Sequence, residues 1–146
     1  MAMRIVNVPM RQILALPFST RLSKRLMLLY LTGRRSGRSY RQPVSYVRHA
    51  DTLLTPGGGH WKLNLQSGRS ERIRLDGRDV TARPELIDDV DTIDSSLMIM
   101  TAVNPRTASF IPIPRQADGH FDRDGLFNAV AHGFRIVRWH LDPQPD

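Results

Sequence analysis

Between Thr32 and Arg41 the sequence reads Thr-Gly-Arg-Arg-Ser-Gly-Arg-Ser-Tyr-Arg, which places two glycines and four arginines within ten residues. Guanidinium groups are planar donor forks that match phosphate or carboxylate oxygens two at a time. Gly33 and Gly37 can take backbone angles closed to other residues, which turns amides outward. Such a turn is suited to holding an anion, and the same composition also serves a solvated hairpin tip whose arginines keep a sheet edge soluble. A second stretch, Pro56-Gly57-Gly58-Gly59, runs directly into His60-Trp61-Lys62-Leu63-Asn64-Leu65. Three consecutive glycines before a short helical turn let the backbone approach a ligand, and amides at a helix start favour negative charge. A loop that needs only conformational freedom has the same composition.

Other chemistries find little support. The chain has neither G-x-G-x-x-G nor G-x-x-x-x-G-K-[ST], so dinucleotide-fold and P-loop readings fall away. Its five histidines show no H-E-x-x-H and no paired spacing beside carboxylates, which argues against a metal site. His120-x-Asp122-x-Asp124-Gly125 imitates the start of a calcium loop, but Ala131 stands where a bidentate Glu is required, so the segment reads as a turn and helix cap. Ser36, Ser95 and Ser109 lack a nucleophile-elbow setting. The absence of cysteine excludes thiolate catalysis and disulfides, and it makes a cytoplasmic location the default expectation.

Charge is distributed unevenly. Residues 1 to 83 carry 16 Lys and Arg against 4 Asp and Glu, or +12, while residues 84 to 146 carry 5 against 10, or −5, giving the net +7. The basic half is suited to an anionic partner, and nucleic acid, membrane surface and a phosphorylated cofactor all qualify. With 40% hydrophobic residues over 146 positions, the chain is expected to form one domain, residues 1–146, with its own core. No apolar run is long enough to span a bilayer and no signal peptide is evident.

The elements that must position these groups follow from periodicity. Phe18, Leu22, Leu26 and Leu29 recur at helical spacing after Pro9, predicting a basic amphipathic N-terminal helix over about residues 9–25, packed on the body of the fold or lying on an anionic membrane. Leu26 to Leu31 reads as a buried strand, Tyr40 to Arg48 as a second and Thr52 to Thr55 as a third, together an antiparallel meander. Arg69 to Leu75 alternates, Asp76-Gly77 is a hairpin signal, and Asp79 to Arg83 returns. Pro84 to Met100 predicts a helix ended by Asn104-Pro105. Phe110, Ile111 and Ile113 predict a short edge strand between prolines. Asp122 or Asp124 is expected to cap a helix through Ala131, and Gly133 to Leu141 is the last strand.

Taken together, Gly33-Arg34-Arg35-Ser36-Gly37-Arg38, Arg41-Gln42-Pro43-Val44, Gly58-Gly59 before Trp61-x-x-Asn64-Leu65, and Asn104-Pro105-Arg106 resemble, in order and spacing, the deazaflavin-dependent nitroreductase and quinone reductase family. The resemblance covers about Leu26 to Ile113. It implies an α+β fold, an antiparallel split β-barrel of the FMN-binding type with flanking helices. It also implies coenzyme F420, an 8-hydroxy-5-deazaflavin with a phosphate and a polyglutamate tail, with FMN as the alternative. By similarity Arg34, Arg35 and Ser36 lie at the turn that contacts the cofactor phosphate, Arg41, Gln42 and Pro43 on the following strand, and Gly58, Gly59, Trp61 and Asn64 where backbone and side chain embrace phosphate and ring. The family's loop often reads Ser-Lys-Gly-Gly with several residues before the tryptophan, whereas Pro56-Gly57 stand here and only His60 intervenes. Tyr40 stands where some members have arginine, and the pocket tyrosines of the nitroreductases have no counterpart between Thr92 and Phe110.

The implied activity is hydride transfer from the reduced deazaflavin to an electron-poor small-molecule acceptor, a quinone-like, nitro or enone compound, by a cytoplasmic monomer or homodimer. Peripheral contact with the inner face of the membrane would run through the N-terminal helix. No nucleophilic side chain is required, and none is assigned as catalytic. Two other classes are weighed beside it. A related split barrel would bind flavin or haem, or only store a cofactor, and a basic module would bind single-stranded nucleic acid with Tyr40, Tyr46 and Trp61 as stacking platforms, although Trp61 behind a glycine loop is poorly placed for that, and no nucleic-acid partner is expected.

Overall fold

The computed structural model describes residues 26–57, 59–65, 69–111 and 113–143. The expected helix over residues 9–25 and Gly58 lie outside them. Seven strands, β1 (Leu26–Thr32), β2 (Ser39–Ser45), β3 (Val47–His49), β4 (Thr52–Gly57), β5 (Glu71–Leu75), β6 (Arg78–Ile87) and β7 (Arg135–Leu141), form one antiparallel sheet in the order β2-β1-β5-β6-β7-β4-β3. The ends of that order, β2 and β3, are consecutive in sequence with only Tyr46 between them. Two Cα steps span at most about 7 Å, so the sheet has to curl until its ends lie side by side. The predicted middle strand of the meander, Tyr40 to Arg48, is broken at Tyr46 into β2 and β3, while its expected pairings with the strands before and after it are both present. β1 pairs with β2 and β3 with β4, but β2 and β3 are not hydrogen-bonded neighbours, because Tyr46 turns the chain from one end of the curled sheet to the other.

Period-two alternation divides the sheet into an inside and an outside. Met27, Leu29 and Leu31 of β1, Val44 of β2, Leu53 of β4, Ile73 and Leu75 of β5, and Val137 and Trp139 of β7 fill the interior with Tyr46 and Ala82. Trp139 is fully buried, and its indole N–H donates to the Thr55 hydroxyl at 3.2 Å, so its polar atom is satisfied. The hairpin between β5 and β6 turns at Asp76 and Gly77 with φ of 48° and 84°, the left-handed pair that matches strand twist.

A second core lies between the outer wall of β4 and β7 and two helices, α1 (Val90–Val103) and α2 (Arg123–Ala131). The Asp89 carboxylate caps α1 by accepting the Thr92 N–H at 2.9 Å, and Val90, Ile93, Leu97 and Met100 supply its buried stripe. Asp122, one of the two expected caps, accepts the Gly125 N–H at 2.9 Å and starts α2. Two predicted elements are revised. Pro84 to Ile87 continues β6 instead of opening a helix, because residues 83–87 run beyond β5 and pair only with β7, where a residue without an N–H leaves no gap. The expected strand at Phe110 to Ile113 is instead the end of a 3-10 helix, Pro105–Phe110, followed by irregular chain. It is capped by Asn104, and Ile111 and Ile113 enter the helical core.

Candidate functional site

The β1–β2 connection folds on itself before it meets anything else. Gly33 N–H donates to Arg38 O at 2.9 Å, Gly37 N–H to Gly33 O at 2.9 Å, and Arg38 N–H to the Ser36 hydroxyl at 3.2 Å. Gly37 has a φ of 68°, which strains any residue with a Cβ, and a Cβ at Gly33 would lie 2.6 Å from Ser36 Oγ. Gly37 is therefore required by its backbone angle, whereas a side chain at Gly33 would displace the Ser36 hydroxyl from the turn. Among the described residues, the turn amides left without a partner are those of Arg35 and Ser36, flanked by the exposed Arg34, Arg35 and Arg38 side chains. The expectation that the glycines turn amides toward a ligand narrows to these two groups.

Opposite the turn stands the 3-10 helix His60–Asn64. Gly59 precedes it in extended conformation, and a Cβ there would meet the Trp61 indole at 2.8 Å, so the glycine is what lets Trp61 fold back over the loop. Trp61 packs half-buried against the barrel interior. The Lys62 ammonium donates to Gly59 O at 2.8 Å and clamps the loop from the other side. Burial, and then the neighbouring Arg135 charge, hold Lys62 below the usual lysine range. Asn64 closes the gap between the two segments, accepting the Arg34 backbone N–H at 2.8 Å and donating to the Tyr40 phenol oxygen at 2.5 Å.

Between turn and helix lies an open cleft of about 550 Å³ lined by Gly33, Arg34, Arg35, Ser36, His60, Leu63 and Asn64. Leu63, 49% exposed, is an apolar surface facing cationic groups. Of the residues the resemblance singles out, Arg34, Arg35, Ser36 and Asn64 come together here. Gly59 and Trp61 shape the loop behind, and Arg41, Gln42 and Pro43 are not part of the cleft. The β1–β2 register sets Arg41 opposite Tyr30 and Gln42 opposite Leu29, so Arg41 and Pro43 face outward and Gln42 inward. Arg41 instead lines an outer-wall depression of about 470 Å³ with Thr32, Ser39, Tyr30 and Arg72, the Arg72 guanidinium lying 4.3 Å from the Tyr30 ring centre.

A third depression, of about 260 Å³, joins Thr32, Gly33 and Arg34 to Arg69 and Glu71, the latter pushed above the usual carboxylate range by burial against the opposing pull of Arg69. Tyr40 and His60, noted in the sequence beside the arginine turn and the glycine loop, are not assigned to the site by sequence reasoning, yet His60 lines the cleft and Tyr40 supports it through Asn64. The hydroxyl of Tyr40 matters only through Asn64, which lies 24 residues away, so no local signal marks it. The aromatics proposed as stacking platforms do not share an outer face. Tyr46 is buried, and Tyr40 and Trp61 pack toward the barrel interior.

Among the described residues, no group of three or more His, Cys, Asp or Glu side chains could hold a metal, and no helix is long and apolar enough to cross a membrane. No protein-family model matches the chain, and no curated protein matches it. Among solved structures, a Mycobacterium protein described as a domain-swapped dimer superposes with a TM-score of 0.53 at 11% identity, over 95% of this chain and 99% of that one. What the two share is the fold, and the curled seven-stranded antiparallel sheet with two helices is an α+β architecture of the split-barrel kind.

Proposed function

We propose that the protein is an oxidoreductase that binds coenzyme F420 in the cleft between the 33–38 turn and the 60–64 helix, and uses it to reduce an electron-poor small molecule of the quinone, nitro or enone class. The observation that carries this reading is the pairing of two unbonded consecutive amides, Arg35 and Ser36, with exposed guanidinium groups in a cleft whose other wall offers Leu63. Amides and guanidinium groups converge on an anion, and an apolar surface across from them suits a ring system. When bound, the reduced deazaflavin supplies a hydride from its C5. Arg34 and Arg35 would hold the phosphate and neutralise its charge, the Arg35 and Ser36 amides would fix its orientation, and Leu63 with the Trp61 loop would keep water from one face of the ring. Asn64 fits this scheme as a brace for the turn, since both ends of its amide are already engaged.

The split-barrel likeness supports a homodimer as the assembly, since the Mycobacterium protein is described as a domain-swapped dimer. Fluorescence titration with oxidised coenzyme F420 and with FMN tests the cofactor assignment. Tighter binding of the deazaflavin is expected, because the basic surface beside the cleft accepts carboxylates as well as phosphate. FMN binding of equal or greater strength replaces the assignment with a flavoprotein, and a Soret band retained through gel filtration after incubation with haem replaces it with a haem protein.

A further inference from the structure

A backbone N–H can only donate, so the contact from Arg34 N at 2.8 Å settles which end of the Asn64 amide is oxygen. The other end, Nδ2, then faces Tyr40 and donates to its phenol oxygen. The phenol acts as an acceptor, with its own proton directed away from Asn64. This relay ties the hairpin tip, the 3-10 helix and β2 across 30 and 24 residues of chain. Tyr40 is half-buried against the barrel interior on a paired strand, so a rigid element sets the orientation of the amide. With the Arg34 N–H held by Asn64, and those of Gly33, Gly37 and Arg38 held within the turn, the Arg35 and Ser36 amides are the pair left unbonded in the segment that lines the cleft.

We propose that Tyr40 is a positioning residue for the anion cleft: its phenol oxygen locks the Asn64 amide, and through it the Arg34 backbone, so that the Arg35–Ser36 amide pair is held ready for a phosphate. The inference rests on the cleft being the anion site proposed above. Without the hydroxyl, Nδ2 has no acceptor, the amide is free to rotate, and a rotated amide sets two donors against each other at Arg34. The ring of Tyr40→Phe keeps the packing, which isolates the hydroxyl.

Isothermal titration with inorganic pyrophosphate, repeated with coenzyme F420, tests the relay. Tyr40→Phe is expected to weaken pyrophosphate binding roughly three- to tenfold, the scale of one hydrogen bond. In an Asn64→Ala background the same substitution is expected to change nothing beyond about twofold, because the coupling is gone. A Tyr40 that only packs would cost the same in both backgrounds. Salt supplies a second reading. Asn64→Asp keeps an acceptor for Arg34 and lets the Tyr40 hydroxyl donate, so its deficit against wild type should close as salt screens the added charge, while the deficit of Asn64→Leu should persist. Equal deficits for the two at every salt concentration overturn the relay. Wild-type binding with unchanged affinity in Tyr40→Phe overturns the relay alone, whereas a wild type that binds neither pyrophosphate nor the coenzyme overturns the cleft as well.

Discussion

Arg35 and Gly59 carry the sharpest consequences of single side chains in this protein. Arg35 is exposed at the tip of the turn, beside its own unbonded amide. A charge-assisted contact to phosphate contributes about 1.5–3 kcal/mol, so Arg35→Ala should weaken binding of a phosphate-bearing cofactor roughly tenfold to a hundredfold. The deficit should shrink in high salt. A folded Arg35→Ala protein with affinity within about twofold of wild type in low salt would leave Arg35 as a soluble turn residue and nothing more. Gly59 is constrained differently. Its missing Cβ makes room for the Trp61 ring, with 2.8 Å between the two positions, and the ring is held by the barrel interior. Gly59→Ala should therefore lower stability by about 1–3 kcal/mol and displace Trp61. Thermal melts and the shift of tryptophan emission read both effects, and an unchanged melt would mean that the loop repacks at no cost.

Among the elements, the segment 115–121 is fastened to α1 by a charge pair. His120 Nδ1 lies 2.8 Å from Asp94 Oδ2, the Phe121 N–H donates to Asp94 Oδ1 at 3.0 Å, and Phe121 is buried beneath. The hydrogen bond to Asp94, reinforced by its charge, raises His120 above the usual histidine range. The folded state thus favours the protonated ring, and the stabilisation is complete below the ordinary histidine value of about 6.5 and lost as pH rises through the raised one. Glu85 behaves in the opposite sense. The hydrogen bond from His140, with Arg138 assisting, holds its carboxyl below the usual range, so its contribution is present above the ordinary carboxylate value of about 4.3 and lost as pH falls through the lowered one. Melting temperature against pH should therefore decline as pH rises above about 6.5, and His120→Gln should flatten that arm while leaving the acid arm in place. An alkaline arm identical in wild type and His120→Gln would show that the pair adds no stability.

For the molecule as a whole, closure depends on one position. Tyr46 is the single residue between strands at opposite ends of the hydrogen-bonded order, and its side chain, 9% exposed, fills the interior at that seam. Burial holds its phenol above the usual tyrosine range. Truncating a buried aromatic leaves a cavity and costs about 3–5 kcal/mol, so Tyr46→Ala should remove a large fraction of the roughly 5–15 kcal/mol that holds a typical domain folded. Chemical denaturation measures it, and a loss below about 1 kcal/mol would mean that the two sheet ends meet without the ring.

The sequence by itself determined the features that act over a few residues. Asp76-Gly77 specifies a hairpin through left-handed backbone angles, Asp122 and Asn104 cap helices with their own side chains, and Gly33 and Gly37 close an arginine turn, all through contacts within about five positions. The charge asymmetry, the continuous apolar run of β1 and the period-two pattern of β5 were legible for the same reason, since each is a property of the local chain. Tertiary structure decided the rest. Pro84 reads as a helix opener, and it lies in a strand because β7 offers partners where β5 has ended. Arg41 and Arg35 read as neighbours in one site, and strand register sends Arg41 to the outer wall. Asn64 reads as a ligand-binding residue, and contacts 30 and 24 residues away make it a brace. Local dihedral and capping preferences are set before the chain collapses, whereas register, sheet closure and the Tyr40–Asn64–Arg34 relay exist only once distant segments have been brought together at the cost of loop entropy.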